Sequence, residues 1–308
     1  MPLHAATVFL SAFLLFLVQP LLAKQILPWF GGAAIVWTLC MVFFQLVLLL
    51  GYAYAHWLTR LPGRKQAWIH LALLAASLVF LPVAPDASWK PQGGDSPVWR
   101  ILALLFATVG LPYFLLSSTS PLVQAWFARA FPGSSPYRLF ALSNFASMLA
   151  LLGYPFAVEP WLTNARQSTC WSAGYAAFVL LCAALAWRSR DLPPLSVEGG
   201  QIAAVAEEPP PRPRAIALWL ALSATASATL LGVSNHLTQN ISSIPLLWVL
   251  PLAVYLLTFI LCFESSSWYR PALYLASLVW LLGVMAWFLA DKRLQFELIW
   301  QIAVFAAW

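Results

Sequence analysis

The sequence predicts a polytopic, all-α membrane protein, and three observations carry that prediction. Hydrophobic residues make up 62% of the 308 and charged residues only 8%, whereas a soluble domain carries about 25% charged residues. Apolar runs of the length a helix needs to cross roughly 30 Å of hydrocarbon, about 20 residues, recur along the whole chain. The basic residues sit in short connections between those runs. The net charge of +6 therefore reads as retention on one side of a bilayer. The expected partner is lipid, and no nucleic-acid partner is expected.

Residues 5–58 organise the rest as a hairpin of two spans, broken by Gln19, Pro20, Lys24, Gln25, Pro28 and the pair Gly31, Gly32. An ammonium inside a membrane costs roughly 2.5 to 3.5 kcal/mol on insertion scales. Lys24 thus either snorkels to the outer interface beside Trp29 or lines a cavity, and the sequence leaves both open. Residues 1–4 carry no Lys or Arg, and no small-residue cleavage pattern follows the first run, so it is expected to stay attached as the first helix.

The second helix, about 33–58, leads into the tight basic turn Arg60, Leu61, Pro62, Gly63, Arg64, Lys65, and a third helix covers 67–83. Residues 84–97 mix Pro and Gly with Asp86, Lys90 and Asp95 beside Trp89 and Trp99, the pattern of an outer loop with interfacial aromatics. A fourth helix over 98–130 would be about 50 Å long if straight, so a break is expected at Pro121, behind the hydroxyls of Ser117, Ser118, Thr119 and Ser120. The fifth helix, 137–158, carries Ser143, Asn144 and Ser147 on neighbouring turns, suited to helix packing or to solute contact. The sixth covers 168–187.

Residues 188–214, with Glu207, Glu208 and the run Pro209, Pro210, Pro211, read as a linker between two halves. A seventh helix begins at 215, an eighth covers 246–263, a ninth 271–289, and a tenth run extends from 295 to the last residue. The expected organisation is a six-helix half (1–187), a cytoplasmic linker (188–214) and an incomplete second half (215–308) with a truncated tenth helix. With nine crossings and the N-terminus inside, ten basic residues fall on the inner side and six on the outer, which favours a cytoplasmic N-terminus.

Cys40, Cys170, Cys182 and Cys262 are scattered singly, without metal or redox spacing, and read as packing residues. There is no phosphate-binding glycine loop, metal cluster or nucleophile–base pair at recognisable spacing. No catalytic residue, metal or cofactor is expected, and the chain is not read as an enzyme. His236 titrates in the range that suits proton coupling but has no obvious intramembrane carboxylate, Glu159 and Glu264 lying at helix ends. Val18, Leu22 and Ile26 around Gln19, Lys24 and Gln25 share their spacing with Val233, Leu237 and Ile241 around Asn235, His236, Gln239 and Asn240. Interrupted segments in equivalent places of two halves are where transporter sites lie; an ordinary polar outer loop accounts for the same residues.

Six helices, a long linker and further helices resemble the layout of a major facilitator transporter. Gly51 followed by Arg60, Gly63, Arg64 and Lys65 is similar to that superfamily's loop after the second helix, although Ala55 and His56 stand where the acidic residue belongs. A simple basic anchor explains these residues equally well. Five ordered blocks, residues 16–29 (FLVQPLLAKQILPW), 51–56 (GYAYAH), 112–126 (PYFLLSSTSPLVQAW), 137–144 (YRLFALSN) and 234–250 (SNHLTQNISSIPLLWVL), resemble the membrane part of bacterial fused major facilitator and spermidine synthase-like proteins. That resemblance implies a bacterial inner-membrane location and a soluble aminopropyltransferase-like domain that is absent here. The low-charge donor and acceptor set at the ends of the first and seventh helices suits a small polar, polyamine-like solute, for which Lys24, Gln25, Asn144, His236 and Asn240 are the candidate lining residues. The alternative is a membrane anchor that holds a soluble synthase and transports nothing.

Overall fold

The computed structural model describes residues 1–31, 34–91, 97–134, 136–192, 212–236, 249–264 and 270–290. Among them every long element is helical: α1 (Pro2–Ile26), α2 (Ala34–Leu58), α3 (Gly63–Ser77), α4 (Pro97–Leu105), α5 (Leu111–Ala130), α6 (Tyr137–Gly153), α7 (Asn164–Ser189), α8 (Pro213–His236), α9 (Val249–Glu264) and α10 (Pro271–Ala290). Six continuous helical stretches are long and apolar enough to cross a membrane: Pro2–Phe30, Val36–Leu58, Pro97–Ala130, Tyr137–Val158, Asn164–Ser189 and Pro213–Ser234. The chain is a multi-pass, all-α membrane bundle. It divides into two compact units, Met1–Leu195 and Ser196–Trp308. The expected tenth run and most of the expected linker lie outside the described residues.

In the first unit α1 is the central post, packed against α5, α6 and α7, while α2 lies on α5 and α3 on α7. Side-chain pairs fix the directions. Gln19 meets Tyr113 and His4 meets Phe127, so α1 and α5 run antiparallel. His70 with Cys182 and Ser77 with Tyr175 set α3 antiparallel to α7 in the same way. The core follows one seam through Val18, Leu22, Ile26, Leu105, Tyr113, Trp171, Tyr175 and Phe178.

Hydroxyls inside these helices bond back to their own backbone, since lipid offers them nothing else. Thr7 donates to the Leu3 carbonyl at 2.8 Å, Ser11 to Val8 at 2.9 Å, Ser77 to Leu74 at 2.7 Å and Ser172 to Ser168 at 2.7 Å.

Two expectations need correction. The third helix starts at Gly63 and ends at Ser77, followed by a 3-10 turn at Leu78–Phe80, so the basic turn before it shrinks to a few residues. The fourth span does not break at Pro121: α5 runs through it, and the irregularity is a π turn at Phe106–Gly110. Packing decides this. Ser117, Ser118 and Thr119 are buried and bond to the carbonyls of Phe114, Leu115 and Leu115 at 2.7, 2.9 and 2.7 Å. At Gly51 of α2 the two backbones come so close that a Cβ would lie 1.9 Å from the Ser117 hydroxyl oxygen. Clamped between α1 and α2, the proline turn stays straight.

In the second unit α8 packs against α9, and most of the described α8 and α10 side chains are exposed, as lipid-facing or partner-facing helices are.

Candidate functional site

The polar end of α1 is where a sequence-predicted site residue acquires an unforeseen partner. Lys24 forms an ion pair with Glu159 at 2.7 Å, each side chain about one-third exposed (38% and 34%). Glu159 ends the π turn Tyr154–Val158 that extends α6. One residue on, Gln25 donates to the Ser168 hydroxyl at 3.1 Å, and Trp171 donates to the Leu14 carbonyl at 2.9 Å, which ties α1 to α7. The Lys24 charge is thus matched by a carboxylate at the helix end where the sequence places Glu159.

Within the first unit, the predicted Asn144 does not join this cluster. Asn144 lies on α6, fifteen residues before Glu159, about 22 Å along the helix, and its amide donates to the Phe140 carbonyl at 2.9 Å. Ser147 likewise donates to the Ser143 carbonyl at 3.0 Å. His236 is the last residue of α8, and Asn240 lies outside the described residues.

The turn after α2 is built differently from a single motif. Gly51 serves the α2–α5 contact, while Gly63 admits the Arg190 carbonyl, which would lie 2.6 Å from an added Cβ. Arg60 meets the His56 ring at 2.7 Å and Lys65 is exposed. Arg64 finds its carboxylate at the far end of the unit's sequence, in Asp191, at 2.9 Å. Arg190 bonds the other oxygen of Asp191 at 2.9 Å and stacks 3.5 Å over the Trp187 ring. Arg190 and then Arg64 hold the Asp191 carboxyl below the usual carboxylate range.

Beneath this surface pair lies a polar hub that the sequence did not reveal. Gln66, 1% exposed, donates to the carbonyls of Leu61 (2.6 Å) and Thr59 (3.3 Å) and accepts from Trp126 (3.0 Å) and Arg129 (2.8 Å). It closes the C-terminal end of α2 and locks the turn to α5. Buried His70 continues inward, with Tyr54 at 3.2 Å on one ring nitrogen and Cys182 at 3.4 Å on the other.

One further polar group is out of place in an apolar span. Gln45 lies midway along α2, is exposed, and its amide has no hydrogen-bond partner among the described residues. Thr38, Tyr52 and His56 are exposed on the same stripe at helical spacing. An amide facing bare hydrocarbon is costly, so this stripe suits water or protein better than lipid. The neighbouring α1 carries a half-buried stripe, Phe9, Phe13, Phe16 and Gln19, and Gln19 donates to the Tyr113 hydroxyl of α5 at 3.2 Å. The signal was available in the sequence: a lone amide centred in an apolar run, seven residues from Thr38 and from Tyr52. Comparison with family models, with curated proteins and with solved structures finds no match to this chain.

Proposed function

We propose that this chain is the membrane module of a major facilitator-type, spermidine synthase-like protein of the bacterial inner membrane, and that it moves a small polar or polyamine-like solute. The observation that carries the reading is Gln45, an exposed amide midway along the apolar α2, with Thr38 and Tyr52 seven residues to either side and exposed Met41, Val42 and Leu49 between them. The division into two compact units supports a rocking mechanism, and buried pairs such as Gln66–Trp126, His70–Cys182 and Ser77–Tyr175 tie the helices of the first unit to one another. Arg60, Arg64, Lys65, Arg129, Arg138, Arg188 and Arg190 share the end that holds the N-terminus of α1, which supports a cytoplasmic N-terminus.

A second reading, a membrane anchor that holds a soluble synthase and transports nothing, is favoured by the Lys24–Glu159 pair: neutralisation leaves α1 without an uncompensated charge to bind solute. Uptake of radiolabelled putrescine, spermidine and neutral polar solutes into proteoliposomes separates the two. Saturable uptake that falls at least several-fold in Gln45→Leu supports transport. Absence of uptake of every solute by correctly inserted protein supports the anchor. The wider site assignment fails if His236→Ala and Asn240→Ala leave both uptake and binding unchanged.

A further inference from the structure

At the end of the first unit opposite the basic turn, a cavity of about 370 Å³ lies between the segment after α3, the outer loop and the π turn before α5. Phe80 and Trp89 supply aromatic surface, Val79 and Pro82 aliphatic surface, and Asp86 the only ionisable side chain in the lining. Thr108 contributes from the π turn. It is 8% exposed, and its hydroxyl has no hydrogen-bond partner, unlike the back-bonded hydroxyls elsewhere in the unit. A wide turn of this kind displaces the backbone register locally and recurs at functional positions in helices.

Among the described residues that line the cavity, the exposed Asp86 carries the one charge. The loop cations are turned to other tasks: Arg100 donates to the carbonyls of Trp89 at 3.0 Å and Ser88 at 3.2 Å, and Lys90 sits 5.5 Å from the centre of the Trp29 ring. Neither lines the cavity. Asp86 accepts from the Ser88 backbone at 2.8 Å, which fixes its position, and the hydrogen bonds from Ser88 hold its carboxyl below the usual carboxylate range. It is ionised at neutral pH.

We infer that this cavity is a binding site for an alkylammonium group, with the cation between the Asp86 carboxylate and the Trp89 and Phe80 rings and a polar contact from Thr108. One carboxylate with aromatic walls does not suit a hard divalent cation, which needs six or more oxygens, whereas ring faces attract organic ammonium ions. The exposed aliphatic edge at Val79, 85% exposed, offers a path for an attached alkyl chain. The same chemistry is presented by the head group of phosphatidylethanolamine and by a free amine. The site stands whether or not the protein transports anything.

Calorimetric titration of the whole chain in maltoside micelles with butylammonium and tetramethylammonium chloride tests it, alongside native mass spectrometry of protein taken from nanodiscs of phosphatidylethanolamine or phosphatidylglycerol. Saturable binding of either ammonium ion is expected, weakened about fivefold to tenfold by Asp86→Asn and less by Thr108→Val. Both substitutions conserve shape, and asparagine keeps an acceptor for Ser88. Retained phosphatidylethanolamine that is lost in Asp86→Asn assigns a lipid source, and ammonium binding without retained lipid assigns a free amine; either supports the site. Absence of both, or equal binding by Asp86→Asn, overturns it.

Discussion

Replacing Gln66 with leucine should destabilise the first unit by about 2 to 4 kcal/mol, because the amide makes four hydrogen bonds at a position closed to water. The sum can be built group by group. Trp126 is 1% exposed, so its indole N–H has no water to turn to and carries the full penalty of a buried unsatisfied donor, about 1 to 3 kcal/mol. Arg129 loses a charge-assisted bond of 2.8 Å but is only half-buried and recovers part of it from solvent, which leaves about 1 kcal/mol. The carbonyls of Thr59 and Leu61 lie at a helix end and rehydrate at smaller cost. Gln66→Glu keeps the oxygen that accepts from Trp126 and Arg129 and adds a charge opposite Arg129, but sets a carboxylate oxygen against those carbonyls; its loss should be smaller than that of the leucine variant. Equilibrium unfolding in mixed maltoside and dodecyl sulfate micelles, followed by circular dichroism, reads both. A Gln66→Leu protein within about 0.5 kcal/mol of the unaltered one, the ordinary scatter of surface changes, would refute the hub.

Three further outcomes follow from the same geometry. Gly51→Ala should cost about 1 to 3 kcal/mol as α2 and α5 are forced apart, and less in a Ser117→Ala background, which removes the oxygen that an added Cβ would meet first; equal cost in both backgrounds would mean that the contact is not what selects glycine. The double variant of Lys24→Met and Glu159→Gln should lose less stability than the sum of the two single losses, with a coupling of about 0.2 to 1 kcal/mol because both groups are about one-third exposed; zero coupling in the unfolding cycle would leave the pair without energetic content. The Asp191 carboxyl is held below its ordinary value by Arg190 and Arg64, so its contribution is fully present above the unfolded aspartate pKa of about 3.9 and is lost as pH falls through the lowered folded value. The stability difference between the unaltered protein and Asp191→Asn should accordingly be flat near neutral pH and shrink only in acid; a difference that grows on acidification would reverse the assigned sign.

Much of the architecture was legible from the residues because lipid imposes a local rule: a backbone crossing hydrocarbon must satisfy its own hydrogen bonds, so long apolar runs become helices whatever surrounds them. The helices expected at about 33–58 and 137–158 accordingly appear at Ala34–Leu58 and, with its π turn, at Tyr137–Val158. Where neighbours decide, the local rule fails. Pro121 signals a break, yet α5 continues through it where it packs on α1 and α2, and the actual irregularity at Phe106–Gly110 precedes Pro112, which has no N–H to offer the carbonyl four residues back. Glu159 is the helix-end charge that its position in the sequence suggests, but its pairing with Lys24 at 2.7 Å exists only because α6 packs beside α1. Asp191 and Gln66 were unremarkable letters until α3, α5 and α7 met at the basic end.

Length, hydropathy and the placement of basic residues therefore determine by themselves that this protein is a multi-pass helical bundle, since each depends only on a segment and its solvent. Partnerships between Lys24 and Glu159, Arg64 and Asp191, and Gln66 and Trp126 span 60 or more residues and were decided only by the tertiary structure. A polar side chain inside a membrane is committed by whichever acceptor the packing of other helices brings within about 3 Å, and no stretch of sequence contains that distance.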